Sequence, residues 1–475
     1  ITPEQSDIPA TNFHITDDHI GEGGAKQKFR ANMDAIHTLH QLEIENRNAT
    51  EQEQDILSKY VGWGGLADAF DEKRDAWADE YHELKNTLTE GEYTAAREST
   101  LNAHYTSPVI IRGIYRALEQ IGFKGGNILE PSMGIGNFFG MLPDSMQNSR
   151  LYGVELDSVS GRIAKKLYPK AQITVAGFET TNQHNFYDLA IGNIPFGNYK
   201  VNDRAYNRLG FSIHNYFFAK ALDQIRTGGI IAFVTSHYTM DSKNPSARRY
   251  LAQRAKLLGA IRLPDNAFRA NAGAEVVSDI LFFQKRDHII DADENWIHLG
   301  TTSNGYAINS YFTEHPEMML GTLEEQSTQF GKSCTVKADP NRELSDALEE
   351  AVCRIAGHYE PIKSTRSGSV SESDTQKVEE TLPADPSVSN YSYTLENGEI
   401  YYRENSIMRR INRSGAAKER IKGLLQIRTA LKRVMQLQIE DASDEEVHRA
   451  QEQLGNIYDA FTKKYGLINS RQNAQ

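Results

Sequence analysis

The chain has 475 residues, 39% hydrophobic and 24% charged, which is globular composition and excludes a disordered or fibrous protein. No apolar run approaches the roughly 20 residues that span a bilayer, no secretory pattern opens the chain, and its two cysteines, Cys334 and Cys353, form no Cys-x-x-Cys. A membrane protein, a disulfide scaffold and a metal centre are therefore set aside for a cytoplasmic protein. The formal net charge of −12, taken alone, argues against a nucleic-acid partner.

Residues 1–100 read as a helical N-terminal extension, with Phe29, Met33, Ile36 and Leu39 at three- and four-residue spacing and a break at Gly62-Trp63-Gly64-Gly65. From 101 to 290 the pattern alternates. Strands are expected at Asn127–Glu130, Leu151–Glu155, Ile173–Ala176, Leu189–Gly192, Ile230–Thr235, Ala260–Leu263 and Ile280–Gln284, with helical stretches such as Val159–Leu167 and His214–Ile225 between them. Seven short apolar runs alternating with helices predict an α/β fold with a mostly parallel sheet. Residues 291–362 form an acidic accessory region, and 363–390 a Ser-rich linker poor in large apolar groups. Residues 391–475 combine a hairpin around Asn397-Gly398 with a basic helical region, in which helices are expected near 417–439 and 443–464 and Ser443 is an N-cap. The chain opens on Ile and has no evident terminal element, so an excised piece of a longer protein is expected.

Two motifs carry chemistry. The first strand runs into Glu130-Pro131-Ser132-Met133-Gly134-Ile135-Gly136, where glycines let backbone approach a ligand closely. About 20 residues on, the second strand ends in Glu155-Leu156-Asp157, the distance at which a carboxylate can take a ribose hydroxyl pair. Together they point to an adenosine-containing cofactor. The second motif is a strand ending in Asn193-Ile194-Pro195-Phe196.

With these residues in order, the stretch 104–286 resembles the S-adenosylmethionine-dependent amino-methyltransferases of the N6-adenine DNA type, whose central strand ends in Asn-Pro-Pro-Tyr or Asn-Pro-Pro-Phe. The resemblance implies a Rossmann-like methyltransferase sheet, S-adenosylmethionine as cofactor and DNA as partner. It implies cofactor contacts from Tyr105 and Thr106 in His104-Tyr-Thr-Ser-Pro108, from Glu130, Pro131, Met133, Gly134 and Gly136, from Glu155 and Leu156, and from Phe178 and Glu179. Asn193 Oδ1 and the carbonyl of Ile194 would each accept one N–H of the target amine and turn its lone pair towards the methyl donor, so that positioning supplies the acceleration. Phe196 would stack on a flipped-out base and Phe268 hold its other side. Two positions depart from the family: Ile194 stands where it has a proline, and Gly177 where many members have an acid, for which Glu179 is the expected substitute. Methylation of cytosine at carbon 5 needs a Pro-Cys nucleophile, which neither cysteine supplies, whereas N4-cytosine chemistry uses a related turn. Methylation of RNA or of a protein glutamine, and a catalytically silent cofactor- or DNA-binding module, are the rival readings. Tyr60-Val-Gly-Trp-Gly-Gly-Leu66 also resembles a segment of large helicase–methyltransferase proteins of bacterial mobile elements, which implies a helicase domain in the full-length chain.

Split by segment, the charge changes its meaning. Residues 1–100, 291–400 and 437–475 carry −12, −13 and −3, whereas 101–290 and 401–436 carry +8 each. The first basic block coincides with the motifs. In the second, Arg409 and Arg410, with Arg413, Lys418, Arg420 and Lys422, are read as a nucleic-acid contact.

Overall fold

The computed structural model describes residues 9–18, 20–100, 105–197, 199–268, 276–328, 331–359, 381–383, 385, 388, 392–396, 398–404, 407–411, 415–439, 442–470 and 473. His104, Asn397, Arg413 and most of the Ser-rich stretch lie outside them. The chain divides into two compact units, one of residues 1–182, 187–201 and 210–363, the other of 183–186, 202–209 and 364–475.

The first unit opens with four helices, α1 (Ala25–Ile44), α2 (Glu51–Ser58), α3 (Ala78–Thr87) and α4 (Glu90–Ser99). Thr50 and Thr89 start α2 and α4 with reciprocal caps to Glu53 and Glu92. Trp63 packs edge-on against Phe29, Tyr60 and Phe70. The Gly-rich break that carries it is pinned by buried Asn32, whose amide donates to the Gly62 carbonyl at 2.6 Å and accepts from the Val61 N–H at 2.9 Å.

Seven strands follow: β1 (Asn127–Glu130), β2 (Arg150–Glu155), β3 (Gln172–Val175), β4 (Tyr187–Asn193), β5 (Ile225–Ser236), β6 (Ala255–Leu263) and β7 (Ser278–Lys285). They form one sheet in the order β3-β2-β1-β4-β5-β7-β6. The first five pair in parallel, and β7 runs antiparallel between β5 and β6. Because β1, β4, β5 and β7 are buried along nearly their whole length, they read in sequence as unbroken apolar runs, the pattern of a sheet covered on both faces. Helix α5 (Pro108–Ile121) leads into β1, with proline at its first position and Gly122 ending it in the left-handed region. After β1 comes the short α6 (Asn137–Gly140). Asp157 caps α7 (Ser158–Leu167), which joins β2 to β3, and α8 (Ile213–Gln224) leads into β5. Against α5 lies the helix Leu344–Cys353, so close that a Cβ on Gly113 would overlap the Leu348 side chain. This is the mostly parallel seven-stranded α/β sheet expected from the sequence. Among the described residues, no helix is long and apolar enough to cross a membrane.

The second unit holds a four-stranded antiparallel sheet, in which Tyr393–Glu396 and Glu399–Glu404 form a hairpin through Glu396 and Glu399, and the helices Gly415–Ile439 and Asp444–Tyr465. Ser443 caps the second helix through the N–H of Glu446.

Candidate functional site at the carboxyl ends of β1 and β4

The strand order runs one way from β1 through β2 and the other way from β4 through β5. The carboxyl ends of β1 and β4 therefore flank the switch point at which open α/β sheets form a crevice. Both sequence motifs end there.

The loop leaving β1 is tied to the end of β2. The Met133 N–H donates to the Val154 carbonyl at 3.0 Å. Glu155 takes the Gly134 N–H on Oε2 at 2.7 Å and the Asp157 N–H on Oε1 at 2.8 Å. The backbone N–H of Leu156 also bonds to the carboxylate. Pro131 and Met133 are buried beneath the loop. Gly136, at φ +90°, starts α6 where a Cβ would come within 2.6 Å of the Tyr168 ring, so side chain and backbone conformation both require glycine. Glu130, at the end of β1, is 2% exposed, and its Oε2 has no hydrogen-bond partner among the described residues. Burial, and then the nearby Glu155, hold its carboxyl well above the usual range. Burial also pushes Glu155 up to about 7, against the pull of the N–H groups it accepts from. Two carboxyls thus face the loop, both shifted by burial towards the neutral form.

The Tyr105 ring lies over Gly134, its hydroxyl 3.4 Å from where a Cβ would stand, and Thr106 beside it is buried. Burial raises the Tyr105 phenol, while a hydrogen bond with Ser160 opposes the shift. The sequence reading missed Tyr60, which comes from the N-terminal helical region; its buried hydroxyl bonds to Ser160 and faces Asp157 and Tyr105. Its only signal was adjacency to the Gly-Trp-Gly-Gly break. Leu156, next to Glu155, is 75% exposed, an apolar side chain beside the carboxylate. Phe178 is buried against Phe217 and Tyr216 and offers no open face. Glu179 is exposed, and its carboxylate folds back over Gly177: a Cβ at 177 would overlap the Glu179 carboxylate oxygens. An acid two residues downstream therefore occupies the space a side chain at 177 would fill.

At the end of β4, Gly192 at φ +147° brings the strand against β1, where a Cβ would sit 3.3 Å from Glu130 Cγ. The peptide group between Asn193 and Ile194 is held at both ends. The Asn193 carbonyl accepts from Ser132 Oγ at 3.0 Å, and the Ile194 N–H donates to the Val234 carbonyl of β5 at 3.1 Å. A proline at 194 could not make the second bond. Ile194 is 1% exposed, so the turn is fixed by packing and by a ladder bond. Pro195 and Phe196 are half-buried at the crevice. His214, at the start of α8, is buried beside the turn; burial and then His237 push it down to about 4, and the Gly197 backbone opposes this.

Phe268 is 1% exposed, its ring packed inside the unit. Arg409 and Arg410 belong to the second unit, on the strand Ile407–Arg410. Arg409 is exposed, whereas Arg410 pairs with Glu399 at 3.1 Å, a carboxylate that also holds Lys418.

No family model matches the chain. It is similar to the Defense against restriction protein B of Escherichia phage P1, 28% identical over 273 residues, covering 56% of this chain and 10% of that protein. It is also similar to the Type II methyltransferase M.CvrRI of Paramecium bursaria Chlorella virus XZ-6E, 38% identical over 93 residues, 19% of this chain and 24% of that protein. The chain thus spans a tenth to a quarter of the length of these relatives. Among solved structures, a candidate class I S-adenosylmethionine-dependent methyltransferase from Listeria monocytogenes overlaps 56% of this chain and 90% of its own, at 16% identity and a TM-score of 0.34.

Proposed function

We propose that the chain transfers the methyl group of S-adenosylmethionine to an exocyclic amine of a nucleic-acid base, the N6 amine of adenine in DNA. One observation carries the reading: a glycine loop with its ribose acid and an Asn-x-Pro-Phe turn end at the same switch point, joined by the bond from Ser132 Oγ to the Asn193 carbonyl. The residues present fit the cofactor. Glu155 offers a carboxylate for a ribose diol, Leu156 an apolar surface, Glu179 a carboxylate beside Gly177 for an adenine amine, and Glu130 Oε2 a buried acceptor for an ammonium group.

When bound, S-adenosylmethionine supplies an electrophilic methyl group on sulfonium. The chain's part is to hold the acceptor. Asn193 Oδ1 and the Ile194 carbonyl each accept one N–H of the amine, so its lone pair turns out of conjugation with the ring. The clamp on the 193–194 peptide keeps those two acceptors in place, which is preorganisation rather than covalent catalysis. Pro195 restricts Ile194 to extended conformations and so aims its carbonyl, and Phe196 offers a ring for the flipped base. The names of both curated relatives, one concerned with restriction and one a methyltransferase, support DNA as the substrate. That this chain covers 10% of the phage protein supports a methylating part of a longer chain, and a helicase elsewhere in it is proposed on the Tyr60–Leu66 resemblance alone.

The test is methyl transfer from one labelled cofactor stock to DNA, RNA and protein, with wild type and Asn193→Ala. Label in N6-methyladenine of DNA, lost by about 100-fold or more in the variant as when one preorganised polar group is removed, with cofactor affinity retained, is the expected result. Label in RNA or in glutamine would overturn the choice of substrate. No label in any acceptor, with cofactor bound, would leave a silent module.

A further inference from the structure

If the amine reading holds, a flipped base needs a surface on the side away from Phe196, and buried Phe268 does not offer one. β5 is the neighbour of β4 on the side away from β1, and the two run in register up to Asn193 opposite Val234. Beyond Val234, β5 ends at Ser236 and the chain turns through His237 into the one-turn helix α9 (Tyr238–Asp241). Tyr238 is 61% exposed, among the most exposed large apolar side chains on this unit.

An exposed aromatic is by itself ordinary, but this one is built in from behind. Its ring lies on the His237 imidazole with centroids 4.1 Å apart and planes 35° apart. His237 is anchored to a single carbonyl, that of Val277: its backbone N–H donates there at 3.4 Å, and its Nδ1 lies 3.1 Å from the same oxygen. The Tyr238 N–H donates to Ser236 Oγ at 3.3 Å. The ring is thus backed by the imidazole while most of the side chain is exposed, which cuts the ordering cost of stacking a ligand on it. The stack also adjoins the Asn193 turn. Buried His214 lies against the Gly197 backbone and faces His237, so turn, His214 and stack are neighbours on the carboxyl rim of the sheet.

We propose that Tyr238, backed by His237, is the second aromatic surface for the target base, opposite Phe196 and in place of Phe268. The proposal rests on base methylation as the activity. Stacking on a π-face tolerates any base, so Tyr238 adds affinity for a flipped nucleotide, and the two acceptors at Asn193 and Ile194 select the amine.

The test uses the full chain as wild type, Tyr238→Ala and Tyr238→Phe. The target site is first found by sequencing modified bases in DNA treated with wild-type protein. Three quantities are then measured: kcat and KM for an oligonucleotide carrying that site, fluorescence of 2-aminopurine at the target position, and cofactor affinity by calorimetry. Tyr238→Ala is expected to lower kcat/KM for DNA by about tenfold or more and to change the 2-aminopurine signal, with cofactor affinity within about twofold of wild type. Tyr238→Phe, which keeps the ring, recovers most of the loss. Wild-type kinetics in Tyr238→Ala, an equal loss in Tyr238→Phe, or a parallel fall in cofactor affinity overturns the role of Tyr238 while leaving base methylation intact. Wild-type protein that binds cofactor but methylates no DNA overturns both.

Discussion

Glu155 has its folded-state acidity shifted towards neutrality by burial, up to about 7, and that shift sets a measurable linkage. In the empty protein it is largely protonated below that value, whereas hydrogen bonds from ribose hydroxyls favour the carboxylate. Cofactor affinity should therefore rise with pH by about tenfold per unit up to the folded pKa and level off above it, with a proton released on binding at lower pH. Calorimetry across pH 6 to 8, in buffers of different ionisation enthalpy, reads both, and a flat profile without proton release would refute the linkage. Folding has the opposite sign: the raised carboxyl favours the folded chain at low pH, and that contribution is lost as pH climbs through the folded value. A second residue-scale consequence concerns Glu179, whose carboxylate fills the space beside Gly177. Glu179→Ala should weaken cofactor binding several-fold, and Gly177→Asp added to it should restore most of that, because position 177 has an ordinary extended backbone (φ −69°, ψ 148°) open to any side chain. The same pair measured by calorimetry shows no recovery if Glu179 does not substitute for the missing acid. At this scale the legible residues were those whose place in the structure is written locally. Gly134, Glu155 and Asn193 follow from a strand, a turn and a spacing. Phe268 and Tyr60 were not legible, because whether a ring is covered, or which hydroxyl reaches Ser160, depends on elements far away in the chain.

Among elements, β4 carries most of the burden. Its far end presents Asn193, and its near end holds Asp188, which is buried and clamps three strands at once. Asp188 Oδ2 accepts the Asn127 N–H of β1 at 2.7 Å, and Oδ1 pairs with Arg226 Nε of β5 at 2.5 Å. The Arg226 guanidinium also donates to the Tyr359 hydroxyl at 2.6 Å. Removing one partner of a buried pair leaves the other charge uncompensated, so Asp188→Ala should destabilise the chain by about 3–5 kcal/mol. The folded fraction should still bind cofactor, since the crevice lies at the opposite end of the strand. Urea denaturation followed by binding of the folded protein checks this, and a loss under about 1 kcal/mol would contradict it. The element pattern itself was largely legible: all seven strands of the sheet fall where short apolar runs predict them. Strand order is invisible to periodicity, because pairing between β1 and β4 or β5 and β7 joins residues 42 to 61 positions apart. The Ile194 departure has a physical counterpart that no single-residue reading contains, the ladder bond to Val234.

For the molecule as a whole, the net charge of −12 misleads and its distribution informs. The segments 101–290 and 401–436, at +8 each, are where phosphate contacts are expected, so affinity for DNA should fall steeply with salt. Arg409 is exposed and Arg410 is already paired with Glu399. Arg409→Ala should therefore flatten the slope of log affinity against log salt by about 0.9, and Arg410→Ala by less. Filter binding over a salt series distinguishes the two, and equal slopes for all three proteins would remove the second block from the interface. The C-terminal part also contains a feature with wider meaning. The Arg403 guanidinium is fully buried, stacked 3.8 Å over the Phe186 ring and donating to the Phe186 carbonyl at 3.4 Å and to Val388. Phe186 directly precedes β4. A gene fragment ending near Lys363 would thus still encode the whole sheet, but would leave uncovered the ring from which the strand carrying Asn193 starts. Recombination that swaps the C-terminal segment of such a protein must bring an arginine or its equivalent along, which ties the inheritance of the two segments together although more than 200 residues separate them.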